Sequence, residues 1–410
     1  MNRRAWIAIL LLLATCPAAP AQRRLDVTQV IVMGEGLAAG VQDFGLRSEY
    51  QKQSFPAVVA RQLKTILPQP LLQGPGLAVL PGVHTMPAIL PTTRQTTVRE
   101  GFPPSLFVFN LSVPGLRLTE AISQRPAEPL VRTNDPKQTL INLILGYPSL
   151  VLGSGKPLWS QLEYAEAMNP TLVIVCLGYY DAADAAASGD PTRMPDAATI
   201  RNNMNSILTR LRANFAEVIV MNVPDPFDSG YFTPLESAPR YVGASPGTLT
   251  NLYGMGSNDW LTPSGLMAIG TQLLSDQPGP LPDGAVISSS AAAQVRTRVQ
   301  QANAEIASAA EQNGALLYDL NGLFRQVRAN GVVVGNRVLK ADYLGGFYSL
   351  NGFYPGVVGQ TLIANELLTL INRTYGTNYS TVNLADALAD DPALRRVQFF
   401  RPKPSEAESQ

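Results

Sequence analysis

Carboxylic acids that could carry protons or bind a cation follow two apolar segments of the sequence. Glu35 comes just after the run 27–33. Asp181 and Asp184 come just after the run 171–177. Two carboxylates without a neighbouring His or Cys are a weak metal pattern, so we expect no metal and interpret the pair as a turn or helix start. Glu35 is either a turn residue or a ligand contact at the end of the first run.

Pairs of a nucleophile and a base are scarce in this chain. His84 is the single histidine, and it lies in a stretch rich in Pro and Gly. Cys176 lies within the apolar run 171–177, where a thiol packs as an ordinary core side chain. A Ser or Cys nucleophile is commonly activated by His. The residues alone therefore offer no obvious pair, and we interpret His84 as a loop residue.

A dinucleotide site is the other chemistry that the glycines would permit. Gly34, Gly36 and Gly40 have the spacing G-x-G-x-x-x-G after a strand-like run. Such a motif requires a second strand that ends in an acidic residue about 20 residues later. No such strand follows here. We therefore expect no nucleotide and no other cofactor.

Apolar segments with strand and helix periodicity alternate along the chain. Strands are predicted over 27–33, 106–111, 171–177, 218–223 and 315–319, and helices over 54–67, 162–168, 198–215, 290–313 and 359–375. Residues 68–105 and 226–285 are predicted to be mostly loop, the second with one helix over 263–274. This alternation predicts an α/β fold, a doubly wound parallel sheet flanked by helices with long loop insertions. Sites in such sheets lie at the carboxyl ends of the strands.

Four segments in order resemble the blocks of the SGNH (GDSL-type) hydrolases, which include bacterial lipases and esterases. They are GEGL at 34–37, NLSVPG at 110–115, GYYD at 178–181 and NGFYP at 351–355. The resemblance extends over residues 26–378, and it implies one SGNH-hydrolase-like domain.

The same resemblance implies that the catalytic machinery has been replaced. The family hydrolyses esters with a Ser that a His activates and an Asp orients. Those positions hold Gly36, Tyr354 and Asn351, and the position of the oxyanion-hole Asn holds Tyr180. Only Gly115 keeps the family residue. A tyrosine, whose pKa is near 10, is a poor base at neutral pH.

We therefore predict a catalytically degenerate pseudohydrolase. Its predicted ligand-binding pocket is formed by Glu35, Gly36, Gly115, Tyr180, Asp181, Asn351 and Tyr354, which converge with Gly34 at the carboxyl edge of the sheet. The expected partner is a small molecule, a lipid, a glycan or an envelope protein. An ester hydrolase that uses Glu35 or Asp181 with a tyrosine is the alternative, and a purely structural envelope protein is a third hypothesis.

The N-terminus and the overall charge predict where the protein acts. A signal peptide over 1–21 is predicted by Arg3 and Arg4, a short apolar run over 5–14 and the small-residue cleavage site Ala19-Pro20-Ala21 before Gln22. Cys16 weakly resembles a lipid-anchor site, which we rank lower. We expect a secreted, periplasmic or envelope protein whose mature chain has no transmembrane segment.

Charge and composition narrow the class of partner further. The chain has 31 basic and 31 acidic residues, so nothing in it predicts a nucleic-acid partner. Its hydrophobic content of 46% is typical of a packed globular domain. Residues 388–410 are charged and contain Pro, which predicts a flexible C-terminal tail.

Overall fold

Short strands and longer helices make up the structure, a computed structural model that describes residues 24–73, 79–82, 98–100, 107–132, 134–152 and 157–392. The strands are β1 Val30–Gly34, β2 Leu72–Gln73, β3 Val98–Arg99, β4 Leu172–Cys176, β5 Glu217–Met221, β6 Thr233–Pro234, β7 Trp260–Leu261, β8 Val286–Ile287, β9 Leu316–Tyr318, β10 Val332–Val334 and β11 Arg337–Leu339.

The helices are bounded as follows: α1 Gly36–Ala39, α2 Ser48–Gln51, α3 Phe55–Leu63, α4 Glu120–Ser123, α5 Pro136–Ile144, α6 Tyr147–Leu152, α7 Gln161–Ala167, α8 Tyr179–Ser188, α9 Ala197–Arg212, α10 Pro239–Val242, α11 Pro246–Tyr253, α12 Pro263–Leu274, α13 Ser289–Gln312, α14 Leu320–Asn330, α15 Val357–Tyr375 and α16 Leu384–Ala389. Short 3₁₀ turns are Pro191–Arg193, Pro226–Asp228 and Leu235–Ser237.

A parallel sheet with the order β1-β4-β5-β9 forms the core. The residues of β1 and β4 are all buried, which is why their sequences are uninterrupted apolar runs. Helix α13 packs along α9, and α15 packs along α3. Right-handed crossovers place these two helix pairs on opposite faces of the sheet. The predicted α/β fold with a parallel sheet between helices is confirmed.

The predicted strand over 106–111 is only partly right. The segment runs parallel to the free edge of β1, where Val32 N–H donates to Phe109 O (2.8 Å) and Leu111 N–H donates to Val32 O (2.8 Å). Its described residues form a single bridge, at Asn110. The Asn110 Oδ1 atom accepts from Ser112 N–H (3.2 Å) as a local bond within the segment. The contact with β1 continues beyond it, where Val113 N–H donates to Gly34 O (3.2 Å).

This segment makes β1 the point at which the strand order reverses. The chain goes from β1 to the segment on one side, and then returns to β4 on the other side. Ligand sites in doubly wound sheets lie at such a switch point, outside the carboxyl ends of the two central strands. Here that place is between Gly34 and Cys176, the last residues of β1 and β4.

A buried glutamine ties the edge of the sheet together at this place. The Gln161 Nε2 group, at the start of α7, donates to Gly34 O and to Leu111 O, both at 2.8 Å. Gln161 is fully buried. It therefore supplies a donor to Leu111 O and a second donor to Gly34 O, which also accepts from Val113 N–H (3.2 Å).

Residues 226–287 contain more structure than the sequence predicted. The helix over 263–274 is confirmed as α12. The rest is not mostly loop, because β6, β7 and β8 form an antiparallel sheet and α10 and α11 pack beside it over a small core that includes Leu235, Leu249 and Ile269. Strands of two residues carry no periodicity, so the sequence could not reveal them.

Several sequence predictions concern residues that lie outside the described part of the chain. These are the signal peptide over 1–21, Cys16, His84 and residues 393–410 of the predicted tail. Helix α16 ends at Ala389, so the first residues of that predicted tail are helical. Within the part of the chain that the structure describes, no helix is long and apolar enough to cross a bilayer.

Candidate functional site

The switch point brings together the segments that the sequence analysis singled out. Glu35 follows β1 and caps α1, where its side chain accepts from Leu37 N–H (3.2 Å). Tyr180 and Asp181 lie in the first turn of α8, directly after β4. The turn that contains Tyr354 leads into α15.

A hydrogen bond between two fully buried side chains forms the centre of the site. The Tyr354 hydroxyl donates to Glu35 Oε2 at 2.7 Å, and both residues have 0% exposure. The phenol ring also lies on Gly36. A Cβ atom at position 36 would be 2.6 Å from Tyr354 Oη and 2.7 Å from Cζ. Only glycine at position 36 is compatible with Tyr354 in this place.

Burial changes the proton affinity of both partners. It raises the pKa of Glu35 to about 7, against the opposing effect of the hydrogen bonds from Tyr354 and Leu37. Burial and the neighbouring Glu35 carboxyl raise the pKa of Tyr354 well above its ordinary value. At neutral pH the phenol therefore stays protonated as the donor, and Glu35 is the group that titrates.

Asn351 shapes the turn that holds Tyr354. Its Oδ1 atom accepts from Phe353 N–H (2.8 Å) and from Tyr354 N–H (2.9 Å). Its Nδ2 group is buried and has no hydrogen-bond partner among the described residues. The side-chain oxygen of Asn351 thus stabilises the main chain of the turn, and Asn351 lies in the same buried region as Tyr354.

Tyr179 is a buried site residue that sequence reasoning missed. Its hydroxyl donates to Phe353 O (3.1 Å), and its ring meets Tyr354 edge-on with centroids 6.0 Å apart. Phe353 in turn stacks on Tyr231 at 4.0 Å. These rings fix the orientation of Tyr354. The only sequence signal was the tyrosine pair in GYYD, of which the resemblance selected the second member.

Asp181 belongs to a separate ionic network. Its Oδ2 atom accepts from Leu118 N–H (3.0 Å), and its Oδ1 atom lies 3.6 Å from Arg117 Nη1. Arg117 also pairs with Asp184 at 2.5 Å and lies over the Tyr180 ring, 5.5 Å from its centroid. Burial raises the pKa of Asp181 to about 6. The network joins α8 to the residues after Gly115.

Gly115 lies against a side chain rather than an open surface. Its φ of +82° and the position of Val79 both require glycine, since a Cβ here would be 2.2 Å from Val79 Cγ1. Val79 therefore packs directly against this glycine.

The remaining candidates have ordinary surroundings. Cys176 is a buried free thiol whose pKa is raised well above its ordinary value by burial, in keeping with an inert core residue. Among the residues that the structure describes, no group of three metal-ligating side chains occurs. The ligand-binding role of the seven predicted pocket residues stays a prediction.

No protein-family model and no curated protein matches the sequence. Solved structures do resemble it. Phospholipase A1 from Streptomyces albidoflavus has 10% identity and a TM-score of 0.35, over 85% of this chain and 100% of that one. A mutant acetyl-xylooligosaccharide esterase from Geobacillus has 11% identity and a TM-score of 0.37, over 88% of this chain and 100% of that one. An extracellular lipase from Streptomyces rimosus has 14% identity and a TM-score of 0.35, over 85% of this chain and 99% of that one. Similarities this distant do not establish an activity for this chain.

The contact between Gly36 and Tyr354 predicts strong coupling between the two positions. Gly36→Ala alone is expected to destabilise the fold by about 1–3 kcal/mol, because the new methyl group overlaps the phenol. Combined with Tyr354→Leu, it should cost at least about 0.5 kcal/mol less than the sum of the two single changes. Urea unfolding of the four proteins measures this difference.

Gly270→Ala is the matched control for this substitution. Gly270 lies within α12 and has open space where a Cβ would lie. The Gly270→Ala protein should be about 0.4–1 kcal/mol more stable than the wild type, although the chemical change is the same. Additive effects at positions 36 and 354 would contradict the contact.

The pKa of Glu35 predicts a dependence of stability on pH. The folded-state value of about 7 exceeds the ordinary value of about 4.3, so folding favours the protonated acid. That contribution is complete below about pH 4 and is lost as pH rises through 7. Between these limits the free energy of unfolding should fall by up to about 3 kcal/mol more in the wild type than in Glu35→Gln. Urea titrations at several pH values measure it, and parallel pH curves would contradict it.

Proposed function

We propose that this chain is a catalytically inactive relative of the SGNH hydrolases that acts outside the cytoplasm by binding a ligand or a partner. One observation carries the proposal. The Tyr354 ring occupies the space beside the Gly36 Cα atom that the side chain of a nucleophile would need. The replacement at position 354 therefore also excludes the nucleophile at position 36.

Two parts of the hydrolytic chemistry, the nucleophile and the base, lack their groups. Acyl transfer by this family requires a nucleophile, a base near neutral pKa and donors to the developing oxyanion. Gly36 has no side chain. Tyr354 cannot serve as the base, because its hydroxyl keeps its proton and donates it in the hydrogen bond to Glu35. Gly115 keeps the family residue, so its main-chain N–H would still supply part of an oxyanion hole.

Binding is favoured over a purely structural role by the cost of the buried acid. A carboxyl group with no exposure destabilises the folded state whenever it ionises. An apolar pair of the same volume would serve a structural core better. Buried acids with shifted pKa values are concentrated at functional sites. The ligand class stays as predicted: a small molecule, a lipid, a glycan or an envelope protein.

One observation favours the second candidate, an ester hydrolase with an unorthodox set of residues. Glu35 has a pKa of about 7, which is suitable for a general base at neutral pH. It would have to activate water directly, since the adjacent position is Gly36. Against this candidate, both carboxylate oxygens of Glu35 already accept hydrogen bonds, from Leu37 and Tyr354.

An esterase assay separates the two candidates. We expect no stoichiometric labelling by a fluorophosphonate and no hydrolysis of short p-nitrophenyl esters above the rate of Glu35→Gln. The combined variant Gly36→Ser, Tyr180→Asn, Asn351→Asp and Tyr354→His rebuilds the family's residues as a unit, and we expect it to gain some ester hydrolysis while each single reversion does not. Turnover by the wild type that Glu35→Gln abolishes would establish the second candidate, and labelling at a serine would overturn the inactive assignment.

Export rests on the N-terminal sequence, where Arg3 and Arg4 precede the apolar run and a small-residue cleavage site. Expression in a bacterial host should yield a mature chain that begins at Gln22. Intact mass and N-terminal sequencing measure this. A chain that retains residues 1–21 would contradict export, and a diacylglycerol mass on Cys16 would establish the lipid anchor instead.

A further inference from the structure

A cavity lies at the free edge of the central sheet, far along the strand order from β1. We call it the edge groove. It lies between α14 and α15, has a volume of about 450 Å³, and includes Leu317, Tyr318, Leu323, Glu366 and Arg373 in its lining. Strand β9 pairs only with β5 among the described strands, so its other edge is open. The groove therefore combines a sheet edge with side chains from two helices.

The floor of the groove contains main-chain groups without partners. Tyr318 O accepts from Asn222 N–H (3.1 Å), so the main chain of Tyr318 faces β5. Since the direction alternates along a strand, the N–H and C=O of Leu317 face away from β5 into the groove. No described residue outside the strand bonds to them. Leu317 is half-buried.

The wall of the groove also contains the hydroxyl group of Tyr318. Tyr318 is only 6% exposed. Its hydroxyl is buried and has no hydrogen-bond partner among the described residues. A buried hydroxyl without a partner is unfavourable. Because this oxygen has almost no accessible surface, it marks an unsatisfied wall of the groove and is not itself a ligand contact.

Two opposite charges on α15 border the groove. Glu366 and Arg373 are exposed, and neither forms an ion pair or a hydrogen bond with the described residues. They are seven residues apart, which places them on one face of the helix with about 10 Å between them along the axis. A ligand that neutralised both would carry charges of opposite sign about 10 Å apart.

We propose that the edge groove binds a short peptide of about three residues with free termini, its ammonium group at Glu366 and its carboxylate at Arg373. Three extended residues span about 10 Å, which matches the spacing of the two charges. A free amino acid is too short to reach both. The main chain of the peptide meets the outward N–H and C=O of Leu317, as in strand addition to a sheet edge.

The direction of α15 sets the direction of the peptide. This helix begins beside Tyr354 at the carboxyl edge of the sheet, and its last residue, Tyr375, contacts Glu217 at the start of β5 (3.3 Å). It therefore runs antiparallel to the strands. A peptide with its N-terminus at Glu366 lies antiparallel to β9, so the pairing is antiparallel. The inference goes beyond the proposed function, because the edge groove shares no residue with the site around Gly36.

Calorimetric titration of the purified full chain with tri-alanine tests the proposal. We expect saturable binding that N-acetylation or C-terminal amidation of the peptide weakens about tenfold each, since each removes a charge-assisted contact. Alanine itself should bind at least about tenfold more weakly than the tripeptide. Glu366→Gln and Arg373→Gln should each weaken tri-alanine by a similar factor.

Charge-matched pairs make the result specific. N-acetyl-tri-alanine should lose no further affinity in Glu366→Gln, because the contact that the variant removes is already absent. Arg337→Gln, at an exposed arginine on β11, is the control and should bind as the wild type does. No heat up to about 10 mM tri-alanine, or equal binding by wild type and Arg373→Gln, would overturn the proposal. Esterase activity does not enter either outcome.

Discussion

The buried hydrogen bond between Tyr354 and Glu35 connects three separate parts of the chain. Glu35 ends the first strand and caps α1, so its position is set by the sheet. Tyr354 arrives from a turn near the C-terminus that Asn351 holds in shape. Gly36 gives the ring the space it needs. Since a carboxyl group without exposure requires a donor, the folded arrangement of these segments is specified by one polar contact.

The two buried acids at the sheet edge, Glu35 and Asp181, have different surroundings, and this difference divides the site into two parts. Glu35 accepts only from neutral donors, whereas Asp181 lies beside the Arg117 guanidinium. Burial raises the pKa of both. The part around Glu35 is fully buried, and its charge changes near neutral pH. The part around Asp181 is a salt-bridge network that ties α8 to the residues after Gly115.

Much of this architecture could be predicted from residue patterns, for identifiable reasons. Strands β1 and β4 were recognisable because burial on both faces requires apolar residues throughout. Helix α13 was predicted to within one residue at each end because its buried positions recur with helical period. The region 226–285 was not predicted, because its strands have two residues each. The run over 106–111 was predicted as a strand, but its described residues meet β1 in a single bridge at Asn110, which no periodicity records.

The site followed a similar division. The family resemblance brought Gly36 and Tyr354 to one place, and their contact follows from the structure. The bond to Glu35, the packing of Tyr179 and the cover over Gly115 by Val79 depend on distances between segments far apart in sequence. The spacing of residues along the sequence does not determine those distances, so these contacts could not be predicted from it.

The close approach of Tyr354 to Gly36 also has a consequence for the evolutionary history of the chain. A serine that arises at position 36 meets the phenol before any histidine is present to activate it. A histidine that arises at position 354 first removes the phenol that donates to Glu35 and has no nucleophile to serve. Each order of single substitutions therefore passes through a less stable protein. The packing couples the two positions, so that a change at either one is disfavoured until the other has also changed.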